Sequence, residues 1–399
     1  MRAYYTDSYT AEFTAPITEI TEQDGRPAVV LGHTYFYPAS GGQPADRGWL
    51  GETAVVDVQI RPSDGAILHL LAADWQGGEL AHGRLDWPRR WDLMQQHTGQ
   101  HILSQAFLRT AEAETIGFHL NETTCTIDLD RANLSEADLA TAEALANETV
   151  WRNLPVTAHL VDWARLDEFP LRKRPPKDYA QLRLIEIGDF DLSACGGTHV
   201  AHTGEVGLIK LVKREKRGDK MRLEFLCGGR AVAAYGRQLA IMGGLIAELT
   251  TAAEGLLPNI QKLRGENKQL QRQLKAAQEQ LLGFEAEALS SQFVPTAAGD
   301  SLLTAVLPHK TPADLRQLAT ALTAVPPRIA LLATVGEAGA TGFLLFKRHP
   351  QAGGDMAALL KAALGELGVQ AGGGTAVQAQ GGGFTASAER VAAVLSSLI

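Results

Sequence analysis

Two short motifs, HTGQH at residues 97–101 and CGGTH at residues 195–199, decide how this 399-residue chain is interpreted. Each motif places two potential metal ligands at positions i and i+4, which share one face wherever the chain is helical. The first motif lies in a segment of helical apolar periodicity that Asp86 can cap and that Pro88 suits in its first turn. The glycines of the second motif predict a loop. Together the motifs supply His97, His101, Cys195 and His199.

Three imidazole nitrogens and one thiolate form a donor set that suits tetrahedral zinc. The spacing alone is weak evidence, because isolated pairs of this kind are usually ordinary histidines and the arrangement is not that of a zinc finger. Thr98 follows His97, so the first motif also lacks the general-base glutamate of the His-Glu-x-x-His zinc proteases. The spacing alone does not separate two interpretations of these motifs, a zinc site and a set of structural side chains, and favours them about equally.

Further motifs follow one another in a specific order. They are TYFYPASGGQPADRG (34–48), GFH (117–119), SACGGTHV (193–200), TGEVG (203–207) and RLE (222–224). Over residues 1 to about 228, the chain closely resembles the editing domain shared by alanyl-tRNA synthetase and the free-standing alanyl-tRNA editing proteins. The resemblance implies a zinc-dependent deacylase that hydrolyses mischarged tRNA(Ala), chiefly Ser-tRNA(Ala). Whether Gly-tRNA(Ala) is also hydrolysed stays open.

The resemblance also implies roles for individual residues. Gln43 lies in the loop that borders the pocket and is expected to approach the substrate. Thr34 takes a second role, because its hydroxyl can hydrogen-bond a seryl hydroxyl and such a site rejects the analogue that lacks one. The resemblance implies that the zinc ligands are His97, His101, Cys195 and His199.

Zinc in such a site is expected to orient the aminoacyl group while water attacks the ester. Four protein ligands would close the zinc shell, which is usual for structural zinc. Two alternatives therefore remain: a tRNA-binding module whose zinc is purely structural, and a zinc enzyme that acts on a small aminoacyl ester or amide.

Composition restricts the class of protein and its compartment. The formal net charge of −8 argues against non-specific coating of nucleic acid. Three cysteines form no disulfide framework and fit a reducing cytoplasm. The N-terminus has no apolar signal segment, and no apolar run of about 18 residues predicts a membrane span. Because neither a class II synthetase signature nor an Asp-His-His motif occurs, we expect a long free-standing editor rather than an aminoacylating synthetase.

The expected fold class is α+β with four parts. Residues 1–85 read as short strands, including one at residues 34–37, and are predicted to form a small β-barrel. Residues 86–228 form the zinc-containing α+β editing domain, 229–290 a helical hairpin or coiled coil, and 295–399 a small glycine-rich α/β domain. The last part resembles the C-terminal domain of alanyl-tRNA synthetase, which is also found after phosphoesterase domains of the Asp-His-His type.

The helical segment carries apolar residues at alternating steps of three and four, with Asn267 at an a position. The short break around Gly255 and Pro258 favours an antiparallel hairpin, and a dimeric coiled coil competes with it. We expect a homodimer through this region.

Three groups of residues are predicted to contact tRNA. Basic side chains can neutralise phosphates, and glycine backbone can approach them closely. The groups are a proline-containing loop with Arg172, Lys173 and Arg174; a basic segment with Lys213, Arg214, Lys216, Arg217 and Arg222; and a glycine-rich loop with Gly372, Gly373 and Gly374.

Overall fold

The computed structural model describes residues 1–175, 180–336 and 341–398, and the chain divides into two compact units, residues 1–248 and 249–399. Both units combine helices with mostly antiparallel sheets, so the predicted α+β class is confirmed. Within the described part of the chain, no single helix is long and apolar enough to cross a membrane; the pair Gly228–Leu249 and Ala253–Ser290 meets that requirement only when counted together.

The first unit begins with a closed antiparallel barrel in the strand order β1-β2-β5-β4-β3-β6. Inward side chains such as Phe13, Val29, Val58 and Leu71 fill it, because alternate residues of each strand point to the same side. The predicted N-terminal β-barrel is confirmed. Its strands are β1 (Glu12–Gln23), β2 (Arg26–Leu31), β3 (Gly48–Leu50), β4 (Thr53–Ile60), β5 (Ile67–Leu71) and β6 (Leu80–Leu85).

The prediction of a strand at residues 34–37 is wrong. Side-chain oxygens accept the backbone N–H groups that a neighbouring strand would otherwise pair with. Thr34 makes an isolated bridge to Arg2. The backbone N–H of Phe36 donates to Oγ1 of Thr34 at 3.1 Å, and that of Tyr37 donates to Asp46 at 2.6 Å. Side-chain acceptors of this kind compete with a strand ladder. The chain continues from here as irregular backbone into the loop that carries Gln43.

Helix α1 (Trp87–Ala111) is the central element of the first unit. It starts as the sequence predicts, since the Asp86 side chain accepts a hydrogen bond from the backbone of Arg89 at 3.3 Å and Pro88 stands in the first turn. It stops at Glu112, which is in the left-handed conformation (φ 48°). Both histidines of the first motif are buried.

The rest of the first unit surrounds α1. A four-stranded sheet has the order β12-β13-β8-β7, and a three-stranded sheet has the order β11-β10-β9. Helix α2 starts at a capping box formed by Ser135 and Asp138. The elements are β7 (Thr115–Leu120), β8 (Cys125–Leu129), α2 (Glu136–Trp151), β9 (Val156–Asp162), β10 (Gln181–Ile187), β11 (Asp191–Ala194), β12 (Ile209–Arg217), β13 (Lys220–Cys227) and α3 (Gly228–Glu248).

The second unit is one six-stranded sheet with helices on its two faces. The strand order is β14-β15-β16-β17-β19-β18, with β15 and β16 parallel and the other pairs antiparallel. The C-terminal end of α4 packs with α5 on one face, while α6 and α7 cover the other. The elements are α4 (Leu256–Ser290), β14 (Val294–Pro295), β15 (Ser301–Val306), α5 (Pro312–Leu322), β16 (Arg328–Thr334), β17 (Gly342–Arg348), α6 (Met356–Glu366), β18 (Gly372–Gly374), β19 (Gln378–Phe384) and α7 (Ala388–Ser397).

The glycine-rich stretch differs from the loop expected from the sequence. Gly372, Gly373 and Gly374 form the edge strand β18, which pairs with β19. A Cβ at Gly372 would lie 2.6 Å from Leu364 and one at Gly374 would lie 2.3 Å from the carbonyl oxygen of Gln378. The absence of side chains therefore permits close strand and helix packing.

The boundary between the two units falls inside the segment 229–290 that the sequence groups as one helical part. Helix α3 continues directly from β13 and belongs to the first unit, where Arg230 pairs with Asp92 at 2.6 Å. Helix α4 belongs to the second unit through Leu282, Ala286 and Leu289. A hairpin or a coiled coil stays a prediction.

Candidate metal centre

The two motifs meet in the first unit. His97 and His101 lie one turn apart on α1, and Cys195 and His199 lie on the loop that follows β11, as the sequence predicts. One ligand atom from each of the four side chains can be chosen so that all lie within 4.8 Å of one another. The Cys195 sulfur is 3.4 Å from Nε2 of His97 and 3.3 Å from Nε2 of His199.

Packing favours one glycine in each motif, Gly99 in the first and Gly197 in the second. A Cβ at Gly197 would lie 2.2 Å from Cε1 of His97, and one at Gly99 would lie 2.3 Å from the Cys227 sulfur. The loop is held by Arg183, which donates to the carbonyl oxygens of Cys195 at 3.0 Å and Gly197 at 2.7 Å. These contacts set the position of the thiol relative to α1.

Each imidazole has a polar partner at Nδ1. Oε1 of Gln43 lies 2.7 Å from His97, Oδ2 of Asp191 lies 3.4 Å from His101, and Oγ1 of Thr98 lies 3.2 Å from His199. Partners at this nitrogen orient the ring and leave Nε2 for a metal, as in most histidine metal sites. The arrangement is therefore that of a ligand set.

The electrostatics of Cys195 and His199 favour the forms that bind metal, whereas those of His101 favour its protonated form. Burial raises the pKa of the Cys195 thiol, but the three adjacent imidazoles outweigh it and the pKa lies well below its usual value. Burial lowers the pKa of His199 to about 3, which keeps that ring neutral. Burial also lowers the pKa of His101, but the Cys195 thiolate and Asp191 outweigh it, so the net shift is upward. Thiolate and neutral imidazole are the ligand forms of zinc sites.

Two of the distances between candidate ligand atoms fit zinc. Tetrahedral bonds of about 2.0–2.1 Å to nitrogen and about 2.3 Å to sulfur place neighbouring ligand atoms about 3.4–3.6 Å apart. The two sulfur–nitrogen distances, 3.4 and 3.3 Å, agree with this separation.

The cluster forms the floor of a pocket of about 240 Å³. One wall is the face of α1 that continues from His101 to Ser104 and Leu108, and Thr115 and Phe118 of β7 lie opposite. Oγ of Ser104 accepts hydrogen bonds from Nε2 of Gln100 and from Oγ1 of Thr115, each at 2.7 Å. The pocket thus has metal-ligand side chains at one end and a hydroxyl pair further along α1.

Comparison with known proteins assigns the chain to a family. Residues 182–223 match the family described as the threonyl and alanyl tRNA synthetase second additional domain. The chain is 30% identical over 302 residues to the alanyl-tRNA editing protein AlaX-L of Pyrococcus horikoshii, an alignment that covers 73% of this chain and 74% of that protein. The chain belongs to the alanyl-tRNA editing protein family.

Other members and relatives of this family agree. The alanyl-tRNA editing protein Aarsd1 of Danio rerio is 30% identical over 247 residues, which is 61% of this chain and 60% of that protein. The alanine–tRNA ligase of Halorubrum lacusprofundi is 34% identical over 250 residues, 59% of this chain but 26% of the ligase. The C-Ala domain of Aquifex aeolicus alanyl-tRNA synthetase matches 26% of this chain at 20% identity, with a TM-score of 0.23 that is too low to establish a shared fold.

The two residues to which the family resemblance gave substrate roles, Gln43 and Thr34, are both buried, and their substrate roles stay predictions. The amide of Gln43 contacts Nδ1 of the candidate ligand His97 and Oγ1 of Thr198. Thr34 is also buried, and its hydroxyl contacts Nε2 of His69 at 2.8 Å. Neither residue lines the pocket.

The residues predicted to contact tRNA divide into two environments. Arg172 and Lys173 line the pocket. Arg174 lies on the surface beside Asp167. The second predicted group, on the exposed hairpin of β12 and β13, has acidic or polar partners for most of its members: Arg214 with Glu136, Lys216 with Asn133, Arg217 with Glu215 and Arg222 with Asp128.

Several residues that build the site are absent from the sequence-based prediction. Asp191 and Thr98 orient ligand histidines, and Ser104 and Thr115 supply the pocket hydroxyls. Ser104 could have been found, because it follows His101 by three positions and so shares its face of a predicted helix. Thr98 follows His97 by one position, which places it on a different face. Asp191 and Thr115 carry no such signal, since their positions depend on how β11 and β7 pack against α1.

Proposed function

We propose that this protein is a trans-editing deacylase that hydrolyses the ester of mischarged tRNA(Ala), chiefly Ser-tRNA(Ala), with zinc held by His97, His101, Cys195 and His199. The observation that carries the proposal is the oriented ligand set at the floor of a small pocket with a hydroxyl pair. The names of the relatives, alanyl-tRNA editing proteins, support the substrate class.

The size and lining of the pocket suit a seryl group. A volume of about 240 Å³ is below the range of roughly 300–1,000 Å³ that holds drug-sized ligands, and it matches an amino acid with part of a ribose. Ser104 follows His101 by three residues, about 4.5 Å along the helix axis. Because Ser104 already accepts two hydrogen bonds, its own proton is available to a seryl hydroxyl, and the Thr115 oxygen can accept one.

The chain's own residues position the reacting groups. When bound, zinc supplies Lewis-acid polarisation and charge stabilisation. Gln43, Asp191 and Thr98 hold the ligand rings in place, so the floor of the pocket does not reorganise during the reaction. Alanine and serine differ by one hydroxyl. An alanyl group leaves the Ser104 proton and the Thr115 oxygen without a hydrogen-bond partner, which supports discrimination against it.

Partners and assembly follow from the same proposal. The substrate is tRNA, and Lys173 at the pocket together with the β12–β13 hairpin supports phosphate contact. Apolar residues of α4 such as Leu263, Leu270 and Leu274 are half-exposed or more, which supports a homodimer through the helical region. A cytoplasmic location stays a prediction.

A second candidate function is a tRNA-binding module with structural zinc. Four protein donors around one point favour it, because closed shells are usually structural. Under this reading the protein binds Ser-tRNA(Ala) without hydrolysing it.

The test is a deacylation assay with Ser-, Gly- and Ala-tRNA(Ala), before and after chelation and after zinc is restored. The proposal expects fast hydrolysis of Ser-tRNA(Ala), little hydrolysis of Ala-tRNA(Ala), loss on chelation and recovery with zinc. Tight tRNA binding without hydrolysis by the zinc-loaded protein would establish the structural-zinc alternative.

A further inference from the structure

Arg172 has a different environment from the basic residues that follow it. Its backbone N–H donates to the carbonyl oxygen of Leu192 at 2.9 Å, which ties it to strand β11. Its Nε donates to Oγ of Ser193 at 3.1 Å and lies 3.2 Å from Oδ1 of Asp191. Its side chain is 15% exposed and lines the pocket. The guanidinium is therefore held in the pocket wall by strand residues.

The carboxylate beside Arg172 also lies beside a candidate metal ligand. Asp191 is fully buried, with Oδ1 next to Arg172 and Oδ2 at 3.4 Å from Nδ1 of His101. Nη1 of Arg172 is 3.5 Å from the carbonyl oxygen of His101. Among the described residues, no other acceptor contacts this guanidinium. Its remaining N–H groups are thus free to donate beside the ligand set.

The next two residues lack this arrangement. The side chain of Lys173 is 61% exposed and lies 3.7 Å from Glu114, and that of Arg174 is 59% exposed and pairs with Asp167. Lys173 and Arg174 are thus ordinary surface cations that suit phosphate contacts, whereas Arg172 is held in the wall of the pocket.

We propose that Arg172 is a catalytic residue that stabilises the negative charge formed on the ester carbonyl oxygen. The inference rests on the proposed deacylase function. Water adds its oxygen to the carbonyl carbon, and the C=O electron pair moves to the carbonyl oxygen next to Arg172. The pair then returns and breaks the bond to the ribose oxygen. One water proton ends on the ribose hydroxyl, and the other is released as the amino acid carboxyl ionises.

The physical reason is preorganisation. A donor fixed before the reaction stabilises the oxyanion without reorganising, and its removal typically costs about 10²–10³-fold in rate. Lysine cannot replace it fully, because a lysine ammonium has no Nε for Ser193 to hold and no planar fork.

The experiment compares Arg172→Gln, Arg172→Lys and Lys173→Gln in the full-length zinc-loaded protein. Arg165→Gln is the control, since Arg165 is an exposed cation paired with Glu168 outside the pocket. Single-turnover deacylation of Ser-tRNA(Ala) over a range of enzyme concentrations separates the saturating rate from the half-saturating concentration. Zinc content and affinity for uncharged tRNA(Ala) are measured on the same samples.

The proposal expects Arg172→Gln to lower the saturating rate about 10²–10³-fold with zinc content and tRNA affinity unchanged. Arg172→Lys should recover part of the rate, and Lys173→Gln should change mainly the half-saturating concentration. A normal saturating rate with weaker tRNA binding in Arg172→Gln would make Arg172 a phosphate contact and overturn the proposal. Loss of zinc would make it a structural residue and also overturn it. An inactive wild-type protein would instead refute the deacylase function.

Discussion

Oε1 of Gln43 lies 2.7 Å from Nδ1 of His97, so a loop that follows the first barrel strands orients a ligand on helix α1. The same amide donates to Oγ1 of Thr198 at 2.8 Å and accepts from its backbone N–H at 3.2 Å. One glutamine therefore connects the barrel, the helix and the loop of the second motif. The barrel thus contributes to the metal centre without supplying a ligand.

Gln43→Leu should weaken zinc binding about 10–100-fold, because the loss of an outer partner frees the ligand ring. Competition with a chromophoric chelator measures the affinity directly. Gln181→Leu is the matched control, since Gln181 is an exposed glutamine that pairs with Asp162. Equal zinc affinity in both variants would remove Gln43 from the support of the site.

Cys195→Ala should lower zinc content and Ser-tRNA(Ala) hydrolysis together, because three nitrogens hold zinc less tightly than three nitrogens and a thiolate. Elemental analysis and the deacylation assay provide the two measurements. Cys125→Ala is the control, since Cys125 is a buried thiol of the core rather than a member of the cluster. Full zinc occupancy and normal activity in Cys195→Ala would exclude Cys195 as a ligand.

Thr115→Val should reduce hydrolysis of Ser-tRNA(Ala) more than that of Gly-tRNA(Ala), by about 10–100-fold, because only the seryl group needs the lost hydroxyl. The ratio of kcat/KM for the two substrates is the measurement. Thr34→Val serves as the comparison. Its hydroxyl contacts His69, so we expect it to lower stability while leaving this ratio unchanged. The reverse pattern would return serine recognition to Thr34.

Local sequence was sufficient to identify the four side chains of the cluster but not the residues that surround them. The i, i+4 spacing and the Asp86 cap are local features of one helix, and the glycines of the second motif specify a loop by themselves. Thr34 and Thr115 offer the same hydroxyl, and the fold alone decides which one faces the pocket. In the same way, Arg172 and Lys173 are adjacent cations that differ because β11 presents Ser193 and Asp191 to Arg172.

The barrel should become less stable in mild acid because of His69. Burial lowers the pKa of His69 to about 4. The unfolded chain binds a proton below about pH 6.5, while the folded protein does so only below about pH 4, so this stability is present above pH 6.5 and falls progressively between the two values. The loss amounts to about 3 kcal/mol across that window.

Denaturant unfolding at pH 7 and pH 4.5 tests this dependence. His69→Gln should lose less stability on acidification than the wild type, because glutamine can hydrogen-bond but does not titrate. His82→Gln is the control, since the His82 side chain is 58% exposed. An identical pH dependence in all three proteins would show that His69 does not set it.

Removing residues 249–399 should leave a functional catalytic unit. The fragment 1–248 keeps all four ligands, the Gln43 loop and helix α3, whose Arg230 pairs with Asp92 at 2.6 Å. A fragment that ends at residue 228, where the sequence predicts the domain boundary, loses that pair and should be less stable. Comparing the unfolding of the two fragments tests whether α3 completes the first unit.

The activity of fragment 1–248 separates tRNA binding from chemistry. If the second unit grips tRNA, the fragment should hydrolyse saturating Ser-tRNA(Ala) at a near-normal rate with a higher KM, because contacts remote from the ester bind ground and transition states alike. If the apolar face of α4 pairs subunits, the fragment should also be monomeric by light scattering while the full-length chain is a dimer. An unchanged KM across a range of salt concentrations would mean that residues 249–399 do not bind tRNA. Dimerisation would then be the role to test for them, because the exposed leucines of α4 still require a partner surface.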